Sequence, residues 1–299
     1  MSLDRLKVNG TKLCDASGNA VQLRGISTLG LRYPEYITKE SFETFRDEWG
    51  VNMIRLALYT DEPGGYCTDG NKEELMAIMK KGVEIATELS MYVIVDWHIL
   101  REKSPMVYKD EAVRFFDEMA SHFKDHTNVI YEICNEPQES PFETVIRPYA
   151  LDVIPVIRKH DKDAVIIVGT DSWSQDVDDV IGKQIEDPNV MYALHFYAAT
   201  HRDKLFRKAN TALSAGVPLF ISECSICDAS GDGAIDEEWG KKWIDFADEN
   251  DISYVVWNLS NKDESSSVIR HDATSLSHWK DEEYSETGKW FRQRISAGK

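Results

Sequence analysis

Apolar residues along this chain fall into two alternating patterns. Short runs, continuous or of period two, occupy residues 21–27, 53–59, 92–98, 129–136, 165–170, 190–197, 219–224 and 254–260. Between them lie longer stretches in which apolar positions recur at i, i+3 and i+4, as in 39–49, 72–89, 109–124 and finally 284–295. The first pattern predicts strands buried on both faces, and the second predicts amphipathic helices laid on a sheet. Strand patterns each followed by helix-like sequence, spaced about 25–40 residues apart, predict an α/β fold of the (β/α)8 barrel type rather than an open doubly wound sheet. No G-x-G-x-x-G follows the first strand, so the dinucleotide-binding fingerprint is missing. Residues 6–13 and 20–23, joined across Asp15-Ala16-Ser17-Gly18-Asn19, predict a hairpin capping the barrel bottom.

No repeat, low-complexity tract or Pro/Ser linker breaks the series, so residues 4–297 are expected to form a single domain. Met1-Ser2-Leu3 reads as an expression start ahead of it. Charge narrows the partners. Against 34 Lys+Arg stand 52 Asp+Glu, a net charge of −18, which repels phosphate backbones and anionic lipid surfaces. No run reaches the ~18 consecutive apolar residues of a spanning helix. Neither a nucleic acid nor a membrane is therefore an expected partner. The five cysteines are an odd number in a long chain and predict mainly buried free thiols. Cys224-Ser225-Ile226-Cys227 spells C-x-x-C, but no second pair of ligands accompanies it.

Barrel enzymes carry their chemistry at the C-terminal strand ends, and here those ends are polar. Arg55 lies in the second strand, Asp96-Trp97-His98 ends the third, and Cys134-Asn135-Glu136-Pro137 the fourth. His195-Phe196-Tyr197 ends the sixth, Ser222-Glu223 the seventh, and Trp257 lies in the eighth. Burying so many polar groups at one end brings no packing benefit and costs about 1–3 kcal/mol for each left unpaired. Glu136 and Glu223, facing each other across the mouth, suit two-carboxylate glycoside hydrolysis. A separation of about 5–5.5 Å would give retention of configuration and about 6.5–9.5 Å inversion; retention is expected. Arg55 is suited to keep Glu223 ionised, Tyr197 to donate it a second bond, and Asn135 to meet the sugar 2-hydroxyl.

Five segments carry a family resemblance: Asn9-Gly10 through Leu23-Arg24-Gly25, Trp49 through Arg55, Ile94 through His98, Ile130 through Pro137, and Ala193 through Ala198. Together they closely resemble glycoside hydrolase family 5 cellulases, in particular the bacterial endoglucanase branch, in which Trp173 through Asp178 and the Trp257 to Lys262 stretch also recur. The resemblance implies Glu136 as acid/base and Glu223 as nucleophile, with Arg55, His98, Asn135, His195, Tyr197 and Trp257 around them. It implies Lys262 and Glu264 against a sugar on the non-reducing side, with Tyr33 and Tyr66 as stacking or polar contacts. Trp173, Gln175 and His201 would face the leaving group. The implied enzyme is a retaining endo-β-1,4-glucanase acting on cellulose-like β-glucan, needing no metal or organic cofactor. A polymeric substrate implies a secreted enzyme, and an open groove implies a monomer.

The chain departs from the family pattern at several points. Cys224-Ser225 follow Glu223 where relatives usually have an aromatic residue and Gly, and Thr28-Leu29-Gly30 lacks the usual His. Asn258 and Asn261 replace residues more often Ser and Asp. These changes bear on substrate preference and rate, and keep two other readings in view: a β-mannanase or a glucanase active on mixed-linkage glucan or xyloglucan, and a catalytically impaired carbohydrate-binding barrel. Metal-dependent hydrolysis is disfavoured because His98, His195 and His201 lack paired carboxylates at metal-ligand spacing.

Overall fold

A computed structural model of the chain describes residues 3–297; Met1 and Ser2 of the expected leader lie outside the described residues. Eight parallel strands close into a barrel, the expected (β/α)8 fold, with a separate two-stranded antiparallel sheet ahead of it. That sheet comprises β1 (Lys7–Asn9) and β2 (Lys12–Cys14). The barrel strands are β3 (Arg24–Thr28), β4 (Met53–Tyr59), β5 (Tyr92–His98), β6 (Val129–Glu132), β7 (Ile166–Val168), β8 (Val190–Tyr197), β9 (Leu219–Ser225) and β10 (Tyr254–Leu259), with β10 closing on β3. The larger outer helices are α2 (Lys72–Glu88), α3 (Lys109–His122), α4 (Arg147–Arg158), α6 (Asp203–Ser214), α7 (Glu237–Glu249) and α8 (Glu286–Ala297); α1 (Lys39–Thr44) and α5 (Asp171–Ser174) are short. Among the described residues no helix is long and apolar enough to cross a membrane.

Alternation along each strand sorts side chains into two cores. In β4 and β5, Ile54, Leu56, Val93, Val95 and Trp97 point out and pack under the helices. Met53 and Ile94 point into the barrel, where they meet Ile130, Ile167, Met191, Phe220 and Val255. Leu6, Leu13 and Leu23 join that inner cluster, so the hairpin caps the bottom as predicted. The chain reverses twice there: at Gly10, whose φ of +61° a side chain would strain, between β1 and β2, and again, as expected, at Asp15–Asn19, beyond which Ala20 bridges back antiparallel to Cys14. Residues 15–19 form a second turn, closed by Asp15 N–H on the Asn19 carbonyl at 2.9 Å.

Other boundaries also shift. The helix expected over 39–49 is α-helical only to Thr44 and then widens into a π-turn from Phe45 to Trp49, ended by Gly50 at φ +84°. Regular pairing of the fourth barrel strand stops at Glu132, and the chain then departs from strand geometry while Ile133 N–H still bonds the Ile167 carbonyl at 2.9 Å and Asn135 N–H the Trp97 carbonyl at 3.2 Å. Gly169, just past β7, makes room for that departure: a Cβ there would lie 2.2 Å from the Cys134 carbonyl oxygen. Gly169→Ala should therefore force the Cys134–Glu136 backbone aside and cost about 1–3 kcal/mol, as overpacking does elsewhere. Urea denaturation of the variant measures it.

Candidate active site

The inward face of the barrel turns from apolar to charged two residues above Met53 and Ile94. Period-two alternation places Arg55 and Tyr59 on the same side of β4 as Met53, Asp96 and His98 on that of Ile94, and Glu132 on that of Ile130. In β8 it brings His195 and Tyr197 inward from Ala193. β9 breaks the rule. Ala193 pairs with Phe220 but His195 pairs with Glu223, so β9 carries one extra residue, a β-bulge. The bulge turns both Ser222 and Glu223 inward, where unbroken alternation would have sent Glu223 into the outer core with Ile221.

Arg55 is the fully buried centre of this layer. Its Nε donates to Glu132 at 2.7 Å, Nη1 to Glu223 at 3.0 Å and Nη2 to Asn135 Oδ1 at 2.6 Å, with Asp96 3.1 Å away. Three carboxylates around one guanidinium hold it protonated despite burial. Tyr197 donates to the other oxygen of Glu223 at 2.7 Å. Burial pushes the Glu223 pKa up, but the cations of His195 and Arg55, with the Tyr197 bond, outweigh it and hold the group below 4.5. Glu136 goes the other way: burial and the neighbouring Glu223 charge raise it to about 7. One oxygen of each carboxylate and a nitrogen of His195 all lie within 4.8 Å of one another, so His195, contrary to expectation, does have two carboxylates at metal-ligand spacing. Two adjacent carboxyls with opposed shifts are able to serve as a proton donor and an ionised nucleophile at the same pH.

The histidines have different jobs. His98 Nδ1 donates to Asp96 at 2.7 Å while its Nε2 accepts from Asn135, and burial lowers its pKa to about 3, so it is a neutral spacer. Its ring lies parallel to Trp257 at 5.3 Å. His195 meets Glu136 through Nδ1 at 2.9 Å and Ser222 through Nε2 at 2.9 Å. Burial alone would lower its pKa, but the carboxylates of Glu132, 3.7 Å from Nε2, and Glu136 lift it to about 9. Asn135 is fully buried, and its amide hydrogens already serve His98 and the Ile99 carbonyl. A sugar hydroxyl reaching it would have to replace one of those bonds.

Above this layer opens a cleft of about 700 Å³, lined by Glu136, His195, Tyr197, Glu223 and Trp257 on its floor. Lys262 and Glu264 line one side as an ion pair, with Asn258 donating to Glu264 at 3.1 Å. Trp173, Gln175 and His201 are also in its wall. Trp173 is 47% exposed and stands on a left-handed turn: Ser172, Trp173 and Ser174 have φ of 58°, 60° and 56°. Each such residue costs roughly 1–2 kcal/mol. Offsetting bonds run from Trp173 N–H to the Pro137 carbonyl at 3.0 Å and from Ser174 Oγ to the Asn135 carbonyl at 2.6 Å. The turn is thereby anchored to the segment that carries Glu136.

Two sequence expectations need correcting. Tyr66 does not reach the cleft; its ring is buried against Trp97 and Phe115 in the outer core. Tyr59, two inward positions above Arg55, occupies the wall instead, with its ring 4.2 Å from that of His98. Tyr33 is exposed beneath the Arg32 guanidinium and stands outside the cleft wall. Glu132, Asp96 and Ser222 were not singled out as site residues, although Asp96 precedes His98 by two and so shares its face. The departures Cys224 and Leu29 leave Glu223 in place. Cys224 is buried in the outer core, while Leu29 joins Ala57, Tyr197, Cys227 and Trp257 in an apolar patch beside the floor. All five cysteines are free, four of them buried and Cys67 partly so.

Comparisons with known proteins agree with this geometry. The sequence pattern of the cellulase family, glycosyl hydrolase family 5, matches residues 14–263. Endoglucanase A of Butyrivibrio fibrisolvens is 46% identical over 296 residues, covering 98% of this chain and 68% of the relative. Endoglucanase A of Evansella cellulosilytica is 44% identical over 281 residues, 93% of this chain and 57% of the relative. The chain thus spans only part of the length of these relatives. The crystal structure of the catalytic domain of a Thermobifida fusca endoglucanase superposes with a TM-score of 0.92 at 37% identity, over 97% of each chain. A variant of that domain, solved with cellotetraose, superposes equally well. With the family pattern spanning the barrel from the end of the hairpin to Asp263, this chain belongs to the cellulase family, glycosyl hydrolase family 5.

Proposed function

We propose that this chain is a retaining endo-β-1,4-glucanase that cleaves internal bonds of cellulose-like β-glucan by double displacement. The observation that carries this reading is the pairing of Glu136 and Glu223, with carboxylate oxygens within 4.8 Å and pKa values pushed apart. That closeness matches the shorter of the two separations that distinguish glycosidase classes. Ionised Glu223 attacks the anomeric carbon while Glu136 gives its proton to the departing oxygen, leaving a glycosyl ester on Glu223. Glu136, now a carboxylate, takes a proton from water, and the resulting hydroxide attacks the same carbon and frees Glu223. Arg55 and Tyr197 hold the nucleophile, and Trp257 offers a face to the sugar. Lys262 and Glu264 bind on the non-reducing side, and Trp173, Gln175 and His201 on the leaving-group side. A polymer too large to enter a cell implies that the enzyme is secreted, and a groove open along a chain suits a monomer.

Reducing-sugar release and viscosity loss with carboxymethylcellulose, glucomannan, xyloglucan and mixed-linkage glucan test the substrate. Rapid viscosity loss, with the cellulose-type polymers preferred, is the expected result; no turnover on any of them would overturn the reading. The pH dependence follows from the two carboxyls. Glu136 must hold its proton, so kcat/KM falls as pH rises through about 7. Glu223 must be ionised, so the acid limb lies below pH 4.5, where protonation removes the nucleophile. An initial-rate profile on a soluble oligosaccharide measures both limbs.

A further inference from the structure

Beneath the two reacting carboxyls lies a third that the mechanism above does not use. Glu132 is fully buried, one inward position above Ile130 of the apolar plug, and is not part of the cleft wall. Its Oε2 accepts from Arg55 Nε at 2.7 Å and its Oε1 from Ser222 Oγ at 2.6 Å. Ser222 Oγ in turn meets His195 Nε2 at 2.9 Å, and His195 Nδ1 meets Glu136 at 2.9 Å. We propose that Glu132 is a positioning residue whose single buried charge fixes the direction of hydrogen bonding on both sides of the site, aiming Arg55 at the nucleophile and committing the proton of His195 Nε2 so that Nδ1 alone exchanges protons with the acid/base. The proposal rests on the glucanase reading for its catalytic meaning, though not for its structural content.

The direction follows from counting donors. A carboxylate offers only acceptors, and a hydroxyl has one proton. Ser222 gives that proton to Glu132, so toward His195 it can only accept, and Nε2 must carry a hydrogen. Nδ1 is left facing Glu136, with nothing else to bond. The charged and titratable groups around His195 are Glu132 and Glu136 from β6 and the segment after it, Glu223 from β9, Arg55 from β4, Asp96 and His98 from β5, and His201 beyond β8. Of these only Glu132 constrains Nε2, through Ser222 and with its own Oε1 3.7 Å away.

Glu132→Gln inverts the arrangement. Arg55 Nε–H needs an acceptor, so the amide oxygen must face Arg55 and the amide NH2 must face Ser222. Ser222 then donates to Nε2, and His195 becomes a neutral ring with its hydrogen on Nδ1. The test is 15N NMR of histidine-labelled protein, with the His195 signals identified by their loss in His195→Asn. In the intact protein both His195 nitrogens are expected to be protonated at pH 8, and on titration to pH 10 the proton leaves Nδ1 while Nε2 keeps its own. In Glu132→Gln the ring is expected to be neutral at pH 8 with its hydrogen on Nδ1. Loss of the adjacent cation also moves the alkaline limb of kcat/KM upward by about one pH unit. A proton leaving Nε2 in the intact protein, an unchanged tautomer in the variant, or a limb that does not move would each overturn the proposal. The titration of the intact protein needs no Glu132 variant and no substrate, only His195→Asn to assign the signals, so failure of the glucanase reading leaves it standing. Conversely, a glucanase with the wrong tautomer refutes only the role of Glu132.

Discussion

Glu223→Gln is expected to reduce kcat on a soluble β-1,4-glucan by on the order of 10⁴-fold or more, the scale seen when a nucleophile or its activating partner is removed. An amide of the same shape keeps the hydrogen bond from Tyr197 Oη to its oxygen but cannot attack carbon, so binding of the polymer should survive while turnover does not. Glu136→Gln should cost roughly 10²–10⁴-fold, the span of general acid–base catalysis. Its loss depends on the substrate. An aryl cellobioside with a good leaving group needs no proton for the first step, so that step should remain fast, and a small anionic nucleophile such as azide should rescue the second. Steady-state rates on both substrates, with and without azide, separate the two residues. Azide rescue of Glu223→Gln, giving the product of the same anomeric configuration as the intact protein, would reverse the assignment.

Arg55→Met is expected to be the most destabilising single change in the site. Glu132 and Glu223 would lose their shared cation, and the buried Asp96 would lose its neighbour at 3.1 Å. Removing one partner of a buried pair costs about 3–5 kcal/mol, because it strands an uncompensated charge. The sign with pH is fixed by the direction of the Glu132 and Glu223 shifts. Both are held below their ordinary values in the intact protein, so their contribution to stability is present at neutral pH and is lost as pH falls through the lowered values. The variant should therefore differ most from the parent near pH 7 and less in acid. Urea denaturation at pH 7 and at pH 2.5, between the ordinary carboxyl value and the lowered value of about 2 for Glu132, checks both the size and the trend.

Much of this architecture was legible because barrel strands obey a simple alternation. Once Met53 and Ile94 are taken as interior, Arg55, Asp96 and His98 must be interior too, and the charge of those residues marks where packing gives way to chemistry. The same rule would have selected Tyr59 over Tyr66, since Tyr59 shares the Arg55 face whereas Tyr66 lies in the loop beyond and folds back onto Trp97. Other features depend on geometry that no period encodes. The extra residue in β9 changes which side Glu223 faces, and nothing in Ile221-Ser222-Glu223-Cys224 announces it. The left-handed turn under Trp173 uses Ser and Trp where a glycine would have been the local signal, because its stability comes from Pro137 and Asn135 far along the chain. The turn at Asp15 through Asn19 is legible from its composition, whereas the further reversal at Asn9-Gly10 has a weaker local signal and shows only in the pairing of Lys7 with Cys14. Glu132 carries no signal of its own in the sequence, because a carboxylate below the strand ends acts only through its neighbours.

The central claim is that two carboxyls this close act by two successive displacements at one carbon. Proton NMR of a cello-oligosaccharide digest, recorded within minutes of adding enzyme and before mutarotation, reads that stereochemistry at the newly formed reducing end. The account predicts that the β-anomer appears first and that the α-anomer grows in only at the rate of spontaneous mutarotation. An α-anomer formed first would mean a single displacement by water, and would contradict Glu223 as the nucleophile.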